Sequence, residues 1–111
     1  MRSERALLID IRDNIRLAQS FTAGWSFEQF DANVEKLYAV TRCLEIISEA
    51  SRGIGSDLKQ RHPHLLWADI AGAGNIYRHS YERISTDIVW GTVQLLAPLL
   101  VAVEAELARA G

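Results

Sequence analysis

Apolar residues recur every three or four positions along almost all of this 111-residue chain. Nowhere does an alternation of polar and apolar residues run long enough for a strand. With only two prolines to interrupt it, that periodicity predicts an all-α fold. The expected architecture is an up-and-down helical bundle of four main helices plus a short helical turn.

The first helix is predicted from Ser3 to Thr22, with Leu7, Leu8, Ile11, Ile15, Ala18 and Phe21 on its apolar side. Ala23-Gly24 should end it. Ser26-Phe27-Glu28-Gln29 has the pattern of a capping box, so a short helical turn is expected there. The second long helix spans Asn33 to Arg52 on a stripe of Leu37, Val40, Thr41, Leu44 and Ile47, and Gly53 and Gly55 close it. On its polar side Arg42, Glu45, Glu49 and Arg52 stand three and four residues apart, the spacing of a charge ladder. Residues 56–63 read as a polar loop leading to a third helix from Leu65 with Leu66, Ile70, Ala73 and Tyr77. Ser85 is placed to cap the last helix, with Asp87 in its first turn. There Ile88, Thr92, Leu95, Leu96, Leu99, Val103 and Leu107 keep helical period, and Pro98 should kink the helix. Val89, Val93, Leu100 and Val101 lie off that stripe. A helix apolar over so much of its circumference is buried on two sides, which predicts self-association, with a thicker core within the chain as the alternative.

With 49% hydrophobic and 23% charged residues, the composition is that of one globular domain over residues 1–111. No apolar run reaches the length of a membrane span. The patch Ala6-Leu7-Leu8-Ile9 is too short for a signal-peptide core, so a cytoplasmic location is the expectation. Twelve Lys and Arg against fourteen Asp and Glu leave a formal charge of −2. Such a domain has no general pull on nucleic acid, and any polyanion must meet a local cluster. The single Cys43 excludes an intrachain disulfide and any multi-cysteine metal site; it reads as a core thiol.

Several constellations invite a chemical reading. His62 and His64 flank Pro63, but their spacing suits a strand and no cysteines complete a site, so they read as loop and no metal is expected. Glu45 and Glu49 are one turn apart beside Arg42 and Arg52, which favours mutual salt bridges over an acid/base pair. Trp25, Trp67 and Trp90 are too scattered for a nucleic-acid stacking platform and read as packing residues. The segment Asn75 to Arg83 differs. It carries Arg78, Arg83, His79, Tyr77, Tyr81 and Asn75 just where a helix must end before Ser85. His79 titrates near neutral pH unaided and could act as base and acid. Arg78 or Arg83 could hold a phosphate by paired hydrogen bonds. The alternative is a solvated helix end.

The blocks Leu44-Glu45-Ile46-Ile47-Ser48-Glu49-Ala50, Pro63 to Gly72, Asn75 with His79-Ser80-Tyr81, and Asp87-Ile88-Val89-Trp90 resemble the HepT family of the HEPN superfamily. In relatives the first block commonly reads L-E-I-I-G-E-A. The resemblance implies a HEPN-like all-α domain, the toxin half of a toxin–antitoxin pair whose partner is a minimal nucleotidyltransferase antitoxin. It implies a homodimer, and a metal-independent endoribonuclease that uses an R-x4-6-H-x-Y motif and needs no cofactor. Carried over, His79 and Tyr81 match the motif histidine and tyrosine, Asn75 matches the polar residue after the arginine, and Tyr81 is the expected acceptor of AMP from the antitoxin. The motif arginine falls at position 74, which is Gly. Arg78, one turn later, is a candidate to fill its role, and Arg83 a further candidate for the phosphate. RNA would be the substrate, with DNA spared for want of a 2′-OH. The alternative is a catalytically degenerate dimer that acts as a binding module.

Overall fold

Three caps fix where the helices begin. The Ser3 hydroxyl accepts the Ala6 N–H at 3.1 Å and starts α1, Glu4–Thr22. Ser26 and Gln29 form a reciprocal capping box, Gln29 N–H to Ser26 Oγ at 3.1 Å and Ser26 N–H to Gln29 Oε1 at 2.9 Å, which starts α2, Phe27–Asp31. The Asn33 carboxamide oxygen accepts the Lys36 N–H at 2.9 Å and starts α3, Val34–Arg52. Each satisfies a donor that the first helical turn leaves without an intrahelical partner. The structure, a computed structural model, describes residues 2–78 and 85–110, and within them the side chains of all but residues 75–78 and 110. α4 (Ser56–Arg61), α5 (Trp67–Arg78), α6 (Thr86–Gln94) and α7 (Ala97–Ala110) complete the described elements, and no strand occurs among the described residues.

The α3 helix is central, with α1 along one side and α5 along another; α7 lies on α1, and α2 on α6. The core gathers Leu8, Ile11, Ile15 and Ala18 of α1, Phe30 of α2, and Val40, Leu44 and Ile47 of α3 against Val89, Val93, Leu96, Leu99, Val103 and Leu107. Cys43 is buried with them, and its thiol pKa is raised by that burial. The three tryptophans pack on this core at separate places. Trp25 lies under the Lys36 ammonium, 4.3 Å from its ring centre, Trp67 donates its indole N–H to the His62 carbonyl at 3.0 Å, and Trp90 packs on Phe30 at 5.2 Å between ring centres.

Four sequence expectations need correction. Residues 56–61 are helical rather than loop, because Leu58 is buried and anchors a turn with Asp57 at its start and Arg61 at its end. The last helix is two helices, α6 and α7, bent by 47°. A helix must stop near the residue four before a proline, and α6 ends at Gln94. Pro98 then sits in the first turn of α7, where its missing N–H costs no bond. The break shifts the phase, so α6 buries Val89 and Val93 and leaves Ile88 and Leu95 exposed. Ser85 does hold the cap position of α6, but its hydroxyl donates to the Asp87 carboxylate instead of accepting a backbone N–H. That bond holds the Asp87 pKa below its ordinary value.

His62 is likewise no solvated loop residue. Its Nε2 lies 2.7 Å from Glu106 of α7, whose carboxylate also accepts from Arg61 Nε at 3.1 Å and Nη2 at 2.8 Å and lies 3.8 Å from Arg109 Nη1. Glu106 is only 6% exposed, and a carboxylate so buried needs that paired, hydrogen-bonded environment. The Arg61 guanidinium, together with His62, lowers its pKa to about 2. No single helix among the described residues is long and apolar enough to cross a membrane.

Candidate active site

The polar cluster expected at the end of the third helix begins on α5. That helix runs unbroken from Trp67 to Arg78, so positions 74 and 78 are one turn apart on one side of it. His79, Tyr81 and Arg83 lie outside the described residues, as do the side chains of Asn75 and Arg78. What the structure does describe is the seat on which α5 rests.

That seat is a polar stripe of α3. The Ser48 hydroxyl donates to the Ala71 carbonyl at 2.7 Å and accepts the Gly74 N–H at 2.9 Å. One turn on, Arg52 gives two N–H bonds to the same Ala71 carbonyl, at 3.1 and 2.9 Å. The expected charge ladder is therefore opened at one end: Arg42 pairs loosely with Glu45 at 3.9 Å, while Arg52 reaches across to α5. Ser48 is fully buried. A Cβ built on Gly74 would stand 2.7 Å from Ser48 Oγ and 3.0 Å from Ser48 Cβ. The first is closer than real Cβ contacts come and the second tighter than most, so a side chain at position 74 would force Ser48 to shift.

Contacts run Ala71 to Arg52 and Ser48, then Gly74 to Ser48 and the Glu45 carbonyl. The two helices are thus antiparallel, and the later turns of α5 lie toward the earlier turns of α3. On that same side of α3, seven residues before Ser48, is Thr41. It is buried, and its hydroxyl has no hydrogen-bond partner among the described residues. A small apolar cavity of about 50 Å³ lies beside the seam, lined by Ser48, Ile70, Ala73, Thr92 and Leu96 among others. The hydroxyl that seats α5 therefore lies beside an apolar wall.

Sequence reasoning did not identify Ser48 as a partner of Gly74. One signal was present: Ser48 stands where relatives commonly carry glycine in the L-E-I-I-G-E-A block, and Gly74 stands at the motif arginine. Two departures from one pattern become a single feature once the helices are packed together. No cluster of three or more metal-ligating side chains occurs among the described residues.

The model of the family described as "Ribonuclease HepT-like" matches residues 11–105. A protein of Thermococcus cleftensis named "Probable ribonuclease HepT" is 36% identical over 99 residues, covering 89% of this chain and 90% of that protein. Two proteins of Methanocaldococcus jannaschii, each named as a "Putative RNase", are 33% identical over 97 residues and 36% identical over 93. They cover 87% and 84% of this chain, and 80% and 85% of their own lengths. No solved structure matches at a significant level. A family match running from residue 11, within α1, to residue 105, within α7, together with relatives that are 36% identical, places this chain in the HepT-like ribonuclease family.

Proposed function

We propose that this chain is a metal-independent endoribonuclease, the toxin component of a toxin–antitoxin pair, working as a homodimer in the cytoplasm. The observation that carries this reading is family membership over residues 11–105, with relatives named as ribonucleases, in a chain that retains His79-Ser80-Tyr81 directly after Arg78 of α5. The reaction is transesterification within RNA. The ribose 2′-oxygen attacks the adjacent phosphorus while His79 takes its proton. The P–O5′ bond breaks, the leaving O5′ receives a proton, and a 2′,3′-cyclic phosphate and a 5′-hydroxyl result. Tyr81 orients the phosphate through its hydroxyl, and Asn75 and Arg83 contribute to holding it. In this reading Arg78 supplies the positive charge that position 74 lacks, acting on the charged transition state. Its place one turn past Gly74 in a continuous helix supports that role.

A dimer is supported by the apolar residues left outside: Ile88 at 50% exposure, Leu95 at 76%, and Val101 at 68%. A minimal nucleotidyltransferase antitoxin would silence the enzyme by transferring AMP to Tyr81. The glycine at 74, sealed against Ser48, favours a second reading, in which the dimer binds its partner and RNA but cuts nothing.

The experiment is a cleavage assay with purified protein in excess EDTA. The proposal predicts RNA products with 2′,3′-cyclic phosphate ends, an intact DNA control of the same sequence, and loss of about two decades in rate for Arg78→Ala. Intact RNA at every protein concentration, from a protein shown to be folded, leaves the binding module as the function. A monomeric mass by light scattering at micromolar concentration contradicts the dimer. Undiminished labelling of Tyr81→Phe by the partner and ATP contradicts the assigned acceptor.

A further inference from the structure

We propose that Ser48 and Gly74 are a matched pair in which the serine is a positioning residue: it sets how closely α5 rests on α3, and position 74 can carry a side chain only when position 48 carries none. The catalytic consequence rests on the ribonuclease reading above; the pairing itself does not. Three observations converge. The Ser48 hydroxyl uses both its donor and its acceptor capacity on α5, at Ala71 O and Gly74 N–H. The atoms that a Gly74 side chain would strike are Ser48 Oγ and Ser48 Cβ, with nothing else nearer than the Glu45 carbonyl at 3.9 Å. The oxygen is held in place by two hydrogen bonds, to the Ala71 carbonyl and from the Gly74 N–H, that a rotation of the hydroxyl would break, and Cβ is fixed to the α3 backbone.

The seat matters for the site because Gly74 is four residues before Arg78 and five before His79. A change in helix separation or rotation at position 74 is passed along a rigid helix to its end, and small misplacements of reacting groups cost large factors in rate. Removal of the serine side chain would leave only ordinary van der Waals distance to Glu45 at position 74. The pair thus explains how a motif arginine can be absent here without leaving a hole: the space is filled from α3.

The test is a melting cycle with an internal control. Alanine is a better helix former than glycine, so Gly→Ala at an open helical position raises Tm. Gly72, on the same helix, has nothing within 4 Å of a built Cβ, and Gly72→Ala should raise Tm by about 4 °C in either background. Gly74→Ala should lower Tm by about 4 °C or more with Ser48 present and raise it with Ser48→Gly, a reversal of sign. Gly74→Arg should fold only together with Ser48→Gly. If Gly74→Ala raises Tm equally in both backgrounds, the pair is not matched and the proposal is wrong. For the positioning role, Ser48→Ala keeps Cβ and removes only the hydroxyl. Assayed well below its Tm, it should lower kcat for RNA about tenfold with KM within about twofold. An unchanged kcat overturns that role. A parent protein that leaves RNA intact overturns the ribonuclease reading and the catalytic consequence together, while the melting cycle still decides the pair.

Discussion

The α3 helix is held on its two sides by opposite kinds of chemistry. Toward α1 it offers Val40, Leu44 and Ile47 to Leu8, Ile11 and Ile15, a dry contact of branched side chains. Toward α5 it offers a hydroxyl and a guanidinium to backbone carbonyl and N–H groups, across a gap so narrow that a side chain at position 74 would displace Ser48. The first contact gains its stability from area and is indifferent to small rotations. The second also packs Ile70 and Ala73 against the core, but it fixes one separation and one rotation as well, because two hydrogen bonds share a single oxygen atom. A helix whose last residues lead into a candidate catalytic segment is thus set by geometry, whereas the helix that carries no site residue is set by bulk.

That contrast can be broken most severely on the apolar side. Ile15 is fully buried, and Ile15→Ala should cost about 3–4 kcal/mol by the usual cavity and transfer terms. Chemical denaturation is the measurement. Activity per folded molecule should not change, and a loss of activity without loss of stability would show that the α1 side also tunes the site.

Next in size comes the other buried polar joint, Glu106 with Arg61 and His62. Glu106→Gln should cost about 1–3 kcal/mol at neutral pH, the range of charge-assisted hydrogen bonds. Arg61 keeps some access to water and so is not left as a buried charge. Because the folded-state pKa of Glu106 is lowered from 4.5 to about 2, its contribution is fully present above about pH 4.5 and disappears as the pH falls through about 2. The parent and the variant should therefore converge in stability over that acid window. Parallel curves from pH 6 to pH 2 would mean that the carboxylate is not what stabilises the joint.

The smallest effect sharpens the seam itself. Arg52 is exposed, so Arg52→Ala should cost only about 0.5–1 kcal/mol, although it removes both N–H bonds to the Ala71 carbonyl. Since Ser48 still donates to that carbonyl, the sign reversal at Gly74 should persist in this background. Its disappearance would move the control of α5 from Ser48 to Arg52.

The sequence made the apolar side legible and left the seam hidden, for one physical reason. Period-3.6 burial is written locally, so α1 and α3 were predicted to within a residue, and the Ser26–Gln29 box lies within a single turn. The seam joins residues 26 positions apart, neither of them apolar, and the Arg61–Glu106 pair spans 45. No local pattern announces such contacts. The bend before Pro98 was legible from its missing N–H, but its consequence was not: the apolar period continues through the break in the sequence, while the chain at Leu95-Leu96 changes direction and with it the face that is buried. Of the site, His79, Tyr81, Arg78, Asn75 and Arg83 were read from residue type, position and resemblance. The packing that positions α5 required the fold.

The central claim is that catalysis belongs to the segment that α5 leads into, and one comparison tests it most directly: RNA cleavage by the parent and by His79→Ala in EDTA, at equal protein concentration and matched Tm. The account predicts that the parent cuts and that His79→Ala loses at least about two decades in rate, in line with removal of a general acid–base group; a folded parent that leaves RNA intact contradicts the account. Cleavage by His79→Ala at the parent's rate would contradict it.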